Sequence, residues 1–315
     1  MKIISQKQIR ELNISPAQCV EWVRESFSIK EIAQLPAKIS LHPQGNDFFN
    51  TMPCLLPAPY NYFGVKEVHR IKGAIPSLGG DILLYNSLTG ELLAMLDADW
   101  ITTMRTGAVA TLAIQTFRVA KVKTYGLLGL GNTGRATLLC LLDSEPNVMH
   151  HVILLRYKDQ AELFIERFKE YTNVSFTICD NSKELVALSD VIVSCITEAQ
   201  GLLCDDDNLY RPGCLVVPVH TRGFQNCDLF FDKVYADDTA HVCGFKHFSQ
   251  FKQFAEIQDV ISGKAKGRVS DSERILSYNI GLGLHDVVYA SKIYEILKND
   301  SNEIELQRET EKFWI

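Results

Sequence analysis

The stretch VKTYGLLGLGNTGRATLLCLL, residues 122–142, contains an apolar run, three glycines in the pattern G-x-G-x-x-G, and a second apolar segment with helical spacing. Gly129 permits a tight turn, Gly131 lets a pyrophosphate approach the backbone, and Gly134 lets the helix pack closely against the strand. The N–H groups and positive dipole of the helix N-terminus favour phosphate. The stretch therefore predicts a strand, a turn and a helix that bind a dinucleotide.

The type of dinucleotide depends on the end of the next predicted strand, HHVILLR, residues 150–156. An acidic side chain at that point binds the ribose 2'-hydroxyl of NAD, whereas arginine suits the 2'-phosphate of NADP. This strand ends in Arg156, with Lys158 close behind it, so we favour NADP over NAD. Two alternatives stay open: both cations are simply solvated, or Asp159 contacts an unphosphorylated ribose.

The arrangement of predicted elements changes near residue 120. From there to about residue 275, strands alternate with helices, which predicts an α/β fold with a Rossmann-type, doubly wound parallel sheet. The preceding part has a capped helix starting at Pro16, extended segments, and a hairpin over residues 81–97, with Asp99 as the expected cap of the next helix. These elements before residue 120 predict an additional α+β domain. Residues 273–297 predict a long helix.

Composition excludes several classes of protein. With 46% hydrophobic and 22% charged residues and a net charge of -6, the chain has an ordinary soluble composition and no basic block for nucleic acid. Because no apolar run reaches the roughly 18 to 20 residues of a membrane span and the first residues lack the apolar segment of a signal peptide, we expect a cytoplasmic protein. The nine cysteines include no C-x-x-C pair, so we expect reduced thiols. No second cluster completes a metal site with His241, Cys243 and His247, so we expect no metal.

Several motifs occur together in an order typical of one family. They are FGVKEV (63–68), SLTGELLAMLDADWITTMRTGAVATL (87–112), GLGNTG (129–134), SGKAKGRVSDSERIL (262–276) and GLGLHDVVYA (281–290). In this combination the chain resembles the ornithine cyclodeaminase and mu-crystallin family over about residues 36–295. The resemblance implies a homodimer with two domains. Residues 1–118 and 279–315 would bind substrate and mediate dimerisation, and residues 119–278 would form the Rossmann domain.

The resemblance assigns four residues to the substrate. Lys66 matches a lysine near the substrate, and Arg105 matches an arginine that binds the substrate carboxylate. Lys38 stands where the family usually has a second arginine, a change that keeps the charge but loses the bidentate geometry. Met52 belongs to a Met-Pro pair that lines the pocket. On the residues alone, Lys66 could instead be a surface residue and Arg105 the partner of a nearby aspartate.

The same resemblance assigns further residues to the cofactor. They are Ser77 and Thr106, Asn132 and Thr133 in the phosphate turn, Ser194, Cys195 and Ile196 at the strand end beside the nicotinamide, and Asn279. Thr133 departs from the family, which often has glutamine at this position. Asp286 matches a position in the last helix at the site.

The segment VPVHTRGFQNCD, residues 217–228, also departs from the family pattern. Arg222 stands where the family has the aspartate that receives the distal amine of the substrate and transfers protons, and His220 replaces a glycine. Arginine carries the opposite charge and does not act as a base near neutral pH. Arg222 therefore suits an anionic distal group, and proton transfer falls to Lys66 or to His220, whose unperturbed pKa is about 6.5. The catalytic candidates are Lys66, His220 and Arg222; the alternatives are a packed histidine and an Arg222–Asp228 salt bridge.

Together these features predict an NAD(P)H-dependent oxidoreductase that reduces an imine or a 2-oxo acid carboxylate, or oxidises the matching amino acid. In the reducing direction, the nicotinamide would supply hydride to a C=N or C=O carbon beside the carboxylate. One alternative is an ornithine-type cyclodeaminase that uses bound NAD catalytically, against which Arg222 argues. The other is an NADPH-dependent protein that binds a small ligand without turnover. We expect a small carboxylate substrate as the partner, and neither nucleic acid nor a membrane.

Overall fold

The computed structural model describes residues 1–220, 223–300 and 303–305. The strands are β1 (Lys2–Ile4), β2 (Ile39–Leu41), β3 (Phe48–Leu56), β4 (Tyr62–Arg70), β5 (Leu78–Asn86), β6 (Leu92–Asp97), β7 (Thr124–Leu128), β8 (His150–Leu155), β9 (Val174–Cys179), β10 (Val191–Ser194), β11 (Leu215–Pro218), β12 (Lys233–Ala236), β13 (Phe254–Glu256) and β14 (Ile275–Tyr278). The helices are α1 (Gln6–Glu11), α2 (Pro16–Ser28), α3 (Asp99–Phe117), α4 (Asn132–Ser144), α5 (Gln160–Arg167), α6 (Ser182–Leu188), α7 (Cys227–Phe230), α8 (Thr239–Val242), α9 (Ile257–Ile261) and α10 (Gly283–Leu297).

The described residues form two compact units. Unit 1 contains Met1–Asn13, Ile32–Thr102 and the described residues from Gly283 onward, and unit 2 contains Ile14–Glu31 and the described residues of Thr103–Leu282. Helix α3 begins in unit 1 and continues in unit 2. The predicted assignment of residues 1–118 with 279–315 and of residues 119–278 to separate functional domains stays a prediction.

Unit 2 contains an eight-stranded sheet in the order β13-β12-β14-β11-β10-β7-β8-β9, and every pair in it is parallel. From β7 the chain passes to β8 and β9 at one edge, and then returns to form β10 on the other side of β7. This reversal between β7 and β10 is the topological switch point at which doubly wound folds bind ligands. The predicted Rossmann-type fold class is confirmed.

Three inner strands of the sheet in unit 2, β10, β11 and β14, are buried at every position. Residues 191–194, 215–218 and 275–278 are each buried throughout, as expected for a parallel sheet covered on both faces. The predicted long helix over residues 273–297 is wrong, because its first part is β14 and the helix begins only at Gly283. A short apolar run has no periodicity that distinguishes a buried strand from a buried helix.

Local signals identified the helices of unit 2 more successfully. The side chain of Ser15 accepts a hydrogen bond from the Gln18 N–H, and Pro16 occupies the first turn of α2, as predicted. The predicted apolar side of α2 is buried: it consists of Cys19, Val20, Val23 and Phe27. Before α3, however, Asp97 rather than Asp99 supplies the capping oxygen, which accepts a 2.9 Å hydrogen bond from the Asp99 N–H.

Unit 1 is built on a six-stranded sheet in the order β1-β6-β5-β4-β3-β2. Strands β2 to β6 form an antiparallel meander, which includes the predicted β5–β6 hairpin, and β1 adds to β6 in parallel. Side chains alternate between a buried face and a half-exposed face. Helix α10 covers the buried face: a Cβ atom on Gly64 of β4 would lie 2.6 Å from Val287 Cγ2.

The described residues also bear on the expected thiols, membrane spans and metal sites. All nine cysteines are free thiols. None of the helices in the described ranges combines the length and apolar character needed to cross a membrane. Within those same ranges, no group of three or more His, Cys, Asp or Glu side chains is arranged to hold a metal ion.

One buried carboxyl in unit 2 has an unusual pKa. Asp228 in α7 is buried and accepts a 2.8 Å hydrogen bond from the hydroxyl of Tyr278 at the end of β14. Burial raises the pKa of Asp228 to about 6, although the hydrogen bond from Tyr278 lowers it. Because the pKa of the folded state exceeds the unfolded value of about 3.9, the contribution of Asp228 to stability is present at acidic pH and is lost as the pH rises through 6.

The Asp228→Asn substitution tests this pH dependence. Asparagine stays neutral and still accepts the hydrogen bond from Tyr278, so we expect the free energy of unfolding to rise by about 2–3 kcal/mol at pH 8 and by much less at pH 4. Urea unfolding followed by circular dichroism at both pH values measures the difference. An equal change at the two pH values would contradict the assignment. Tyr278→Phe, which removes the donor, should move the transition to higher pH.

Candidate functional site

The glycine turn after β7 makes close contact with the end of β10. Gly129 has φ +86°, and a Cβ atom there would lie 2.5 Å from the carbonyl carbon of Cys195. A Cβ atom on Gly134 would overlap the carbonyl oxygen of Gly129. Cys195 also donates its backbone N–H to Leu128 O at 2.7 Å. The protein's own packing therefore requires glycine at the first and third positions of the motif.

The second glycine of the motif has a different environment. Gly131 has φ -77°, which any residue adopts, and a Cβ atom there would meet nothing within 4 Å. It is the exposed N-cap of α4. Of the first two residues of α4, Asn132 is exposed and Thr133 is half-buried. No contact with the described residues explains a glycine at this point. A pyrophosphate that lies against the backbone does explain it, so this turn fits a dinucleotide.

Small residues bring α3 against α4. A Cβ atom on Gly107 would lie 2.5 Å from the carbonyl carbon of Ala136, and Thr111 Oγ1 donates to Thr137 O at 3.1 Å. The half-buried Thr106, a predicted cofactor residue, directly precedes this contact. The small residues of α3 therefore serve close helix packing.

His220 is hydrogen-bonded to a buried serine at the same edge of the sheet. Ser194, the last residue of β10, is fully buried, and its Oγ lies 2.6 Å from Nε2 of His220. The strands hold the pair in register, because Val219 N–H donates to Ser194 O at 3.0 Å. His220 is half-buried and follows β11 by two residues. A titratable group thus lies at the switch-point edge of the sheet.

Neighbouring residues at this edge have more limited chemistry. Burial raises the pKa of Cys195 to about 12, so this thiol stays neutral and is not a nucleophile. The backbone N of Ile196 would lie 2.7 Å from a Cβ atom on Gly129. The sequence-predicted cofactor residues Ser194, Cys195 and Ile196 therefore lie beside the glycine turn.

Asn279 has a buried acceptor atom in unit 2. Its side-chain Nδ2 donates to Ser277 O at 2.8 Å, and its backbone N–H donates to Pro218 O at 3.0 Å. Among the described residues, no group donates a hydrogen bond to its buried Oδ1 atom. A buried acceptor without a partner is costly, and a ligand amide, such as the carboxamide of a nicotinamide, could supply the missing donor.

The predicted 2'-phosphate ligand Arg156 follows β8 directly and is partly exposed. Its Nε donates to Asp180 Oδ1 at 2.7 Å and its Nη1 donates to Glu162 Oε1 at 2.5 Å. These carboxylates raise the pKa of Arg156 further. Neither partner was predicted from the sequence, and Asp180 follows a different strand, β9.

Arg105 lies against a glycine that only tertiary structure identifies. Its side chain is 6% exposed, and a Cβ atom on Gly281 would overlap its guanidinium. Gly281 has φ +100° and donates its N–H to Asp237 Oδ2 at 2.5 Å. Asp237, a fully buried residue, was missed in the sequence. Its position directly after the parallel strand β12 was the available signal.

Lys66 is completely buried in unit 1. Its Nζ lies 2.8 Å from Asp286 Oδ1 in α10, and neither side chain is exposed. The alternative of a surface lysine is therefore wrong. Met52 pairs with Lys66 across β3 and β4, and a Cβ atom on Gly283 would lie 3.0 Å from Met52 O. Unit 1 thus brings together Met52, Lys66 and Asp286.

The other predicted residues are less closely grouped. Lys38 is half-buried directly before β2. Ser77 is exposed in the loop before β5, where its carbonyl accepts a 2.9 Å hydrogen bond from Ile71 N–H. Arg222 lies outside the described residues, as does any salt bridge it forms.

Comparison with known proteins provides the classification. A sequence model of the ornithine cyclodeaminase/mu-crystallin family matches residues 1–301. The chain belongs to this family. The chain is also similar to the N-((2S)-2-amino-2-carboxyethyl)-L-glutamate dehydrogenase of Staphylococcus aureus. The two are 23% identical over 248 residues, which cover 74% of this chain and 73% of that protein.

Two solved structures support the fold. The Δ1-pyrroline-2-carboxylate reductase of Thermococcus litoralis, in complex with NADH and L-proline, has a TM-score of 0.85 and 21% identity, with coverage of 97% of this chain and 100% of that chain. An archaeal alanine dehydrogenase dimer with bound NAD has a TM-score of 0.81 and 22% identity, with coverage of 98% and 99%. These similarities agree with the predicted fold class.

The glycine turn provides a direct test of dinucleotide binding. Gly131→Ala adds a methyl group that meets no protein atom, so we expect an unchanged melting temperature but affinity for NADPH and NADH at least about tenfold weaker. The matched variant Gly129→Ala introduces a clash and a strained φ, and should instead lower the melting temperature. Fluorescence titration and thermal unfolding measure the two effects. Unchanged affinity in Gly131→Ala would exclude the phosphates from this turn.

Proposed function

We propose that the protein is an NAD(P)H-dependent oxidoreductase that reduces an imine or 2-oxo acid beside a carboxylate, or oxidises the matching amino acid. The observation that carries this proposal is the open position at Gly131, at the N-terminus of α4, on the edge of the sheet where Ser194 holds His220. Family membership supports it. So do the activities of the similar proteins, which include a dehydrogenase and a pyrroline-carboxylate reductase.

The residues of unit 2 account for the binding of a nicotinamide dinucleotide. The turn at Gly129 and Gly131 and the first N–H groups of α4 would bind its phosphates, and Asn279 Oδ1 would accept a hydrogen bond from its carboxamide. When bound, the cofactor supplies the hydride. We propose a preference for NADP over NAD, because Arg156 ends β8 where an NAD-binding protein usually has a carboxylate. The similar proteins of known structure bind NADH and NAD.

Proton transfer is the proposed role of His220. The hydrogen bond between Ser194 Oγ and Nε2 orients the imidazole of His220, which would exchange a proton with a substrate nitrogen or oxygen. Lys66, Arg105 and Lys38 are proposed to bind the substrate carboxylate, and Met52 to line its pocket. The Asp286 carboxylate compensates the charge of the buried Lys66. Arg222 is proposed to bind an anionic distal group of the substrate.

The nine free thiols are typical of proteins in a reducing compartment. We therefore propose that the protein functions in the cytoplasm.

The sheet of unit 1 has a surface suited to a second copy of the chain. Many of the outward side chains of its central strands are apolar and only half-buried: they are Pro53, Leu55, Phe63, Val65, Leu83, Tyr85 and Met95. Exposed apolar surface of this extent is typical of an interface. We propose that this face forms a homodimer, as in the archaeal alanine dehydrogenase, which is a dimer.

The dimer proposal predicts a mass of about 71 kDa by light scattering, twice the 35.5 kDa of one chain. Leu83→Asp, which places a charge on the central strand of this face, should shift the mass toward one chain. Leu88→Asp in the β5–β6 turn, where the side chain is 75% exposed, is the control and should stay dimeric. A monomer at all concentrations of the unsubstituted protein would refute the proposal.

An absorbance assay tests the activity. Purified protein is mixed with NADPH or NADH and a panel of cyclic imines, including Δ1-pyrroline-2-carboxylate, and of 2-oxo acids with amines. We expect net loss of the absorbance of reduced nicotinamide. Release of ammonia from ornithine without net change in the cofactor would instead support a cyclodeaminase. Tight NADPH binding with no turnover would indicate a binding protein.

Two variants connect the activity to the site. Arg105→Ala should raise KM or abolish turnover, while NADPH affinity changes by less than about twofold. His220→Gln should lower kcat by about 100-fold or more and remove a titration from the pH profile. His247→Gln, another half-buried histidine of unit 2, is the control and should retain activity. Equal loss of cofactor affinity and turnover in Arg105→Ala would show that its role is misassigned.

A further inference from the structure

The register of β8 and β9 places an acidic residue beside Arg156. Leu155 pairs with Cys179, and Arg156 N–H donates to Cys179 O at 2.9 Å, so the next residues of the two strands lie together. The register of the sheet therefore places Asp180 next to Arg156. Its carboxylate is 77% exposed, so it is also accessible to a ligand at the end of β8.

Arg156 has one positive charge but two carboxylate partners. One guanidinium, Arg156, is bonded to two carboxylates, Asp180 and Glu162, and the adjacent Lys158 places its Nζ over the ring of Tyr157. A 2'-phosphate carries a charge of about -1.5 to -2, whereas a 2'-hydroxyl carries none. The phosphate would compete with the two carboxylates for the donors of Arg156 and would be repelled by them. The hydroxyl would not be repelled.

We propose that Asp180 limits the preference for NADP that Arg156 provides: it occupies Nε of Arg156 and adds a negative charge where a 2'-phosphate would bind. The inference rests on the proposed function, because it requires a nicotinamide dinucleotide at the glycine turn. Whatever the preference of the unsubstituted protein, loss of the Asp180 charge shifts it toward NADP.

Glu162 contributes to the same cluster but is less suited to a test. It lies in the first turn of α5, where the backbone favours a carboxylate. A hydrogen bond from its own backbone N–H holds the pKa of Glu162 below its usual range, and the hydrogen bond from Arg156 lowers this pKa further. Substitution of Glu162 would therefore weaken the start of α5 as well as the ion pair. Asp180 follows its strand and has no such role in a helix.

The experiment measures dissociation constants for NADPH and NADH by fluorescence titration. Asp180→Asn removes the charge and keeps the size of the side chain, and should strengthen NADPH binding about three- to fivefold while NADH binding changes by less than about twofold. Asp180→Ala also releases Nε of Arg156 and should give an equal or larger shift. Melting temperatures verify that both variants are folded.

Two controls isolate the effect. Asp205→Asn removes another exposed aspartate that pairs with a cation at 2.7 Å, in this case Lys183, and should leave the ratio of the two constants unchanged. In an Arg156→Ala background, which should weaken NADPH far more than NADH, Asp180→Asn should shift the ratio less than in the unsubstituted protein, because the competition for Arg156 has been removed.

The outcomes are distinct. A ratio shifted toward NADPH in Asp180→Asn and Asp180→Ala, but not in Asp205→Asn, supports the proposal. An unchanged ratio, or equal shifts for both cofactors, overturns it and leaves the oxidoreductase function intact. Failure of the unsubstituted protein to bind either dinucleotide overturns the proposed function and the inference together.

Discussion

The contact between the glycine turn and the end of β10 is the constraint on which unit 2 depends. The strand order reverses between β7 and β10, and at that point the backbone of Gly129 approaches Cys195 too closely for any side chain. The same approach brings the end of β10, with Ser194 and its partner His220, beside the glycine turn. The glycine turn and a titratable group thus share one edge of the sheet because of a single packing requirement.

Three cations of the candidate site are held by defined contacts. Lys66 is paired with Asp286 in a fully buried contact, Arg156 is bonded to two carboxylates, and Arg105 lies against Gly281. Such partners fix the positions of long side chains that would otherwise be mobile, which is the precondition for orienting a small substrate or cofactor. They also limit what each cation can offer to a ligand, and Arg156 is the clearest case.

The predictions that the structure confirms depend on patterns of neighbouring residues. The G-x-G-x-x-G pattern, the cap and proline at the start of α2, and the β5–β6 hairpin each depend on neighbouring residues, and the structure contains all three elements. The prediction was wrong where an apolar run was short and had no periodicity. The four buried residues of β14 were predicted as helix. The sequence also left open whether Lys66 was exposed, because a single lysine in an alternating strand does not reveal what covers it.

The family, the fold class and the glycine turn were predictable from residue types at fixed spacings along the chain. The groups that meet in space depend on the tertiary structure: they are His220 with Ser194, Lys66 with Asp286, and Arg156 with Asp180. Each of these pairs joins residues that are at least 24 positions apart. Strand register and helix packing set such contacts, and neither is encoded by local spacing.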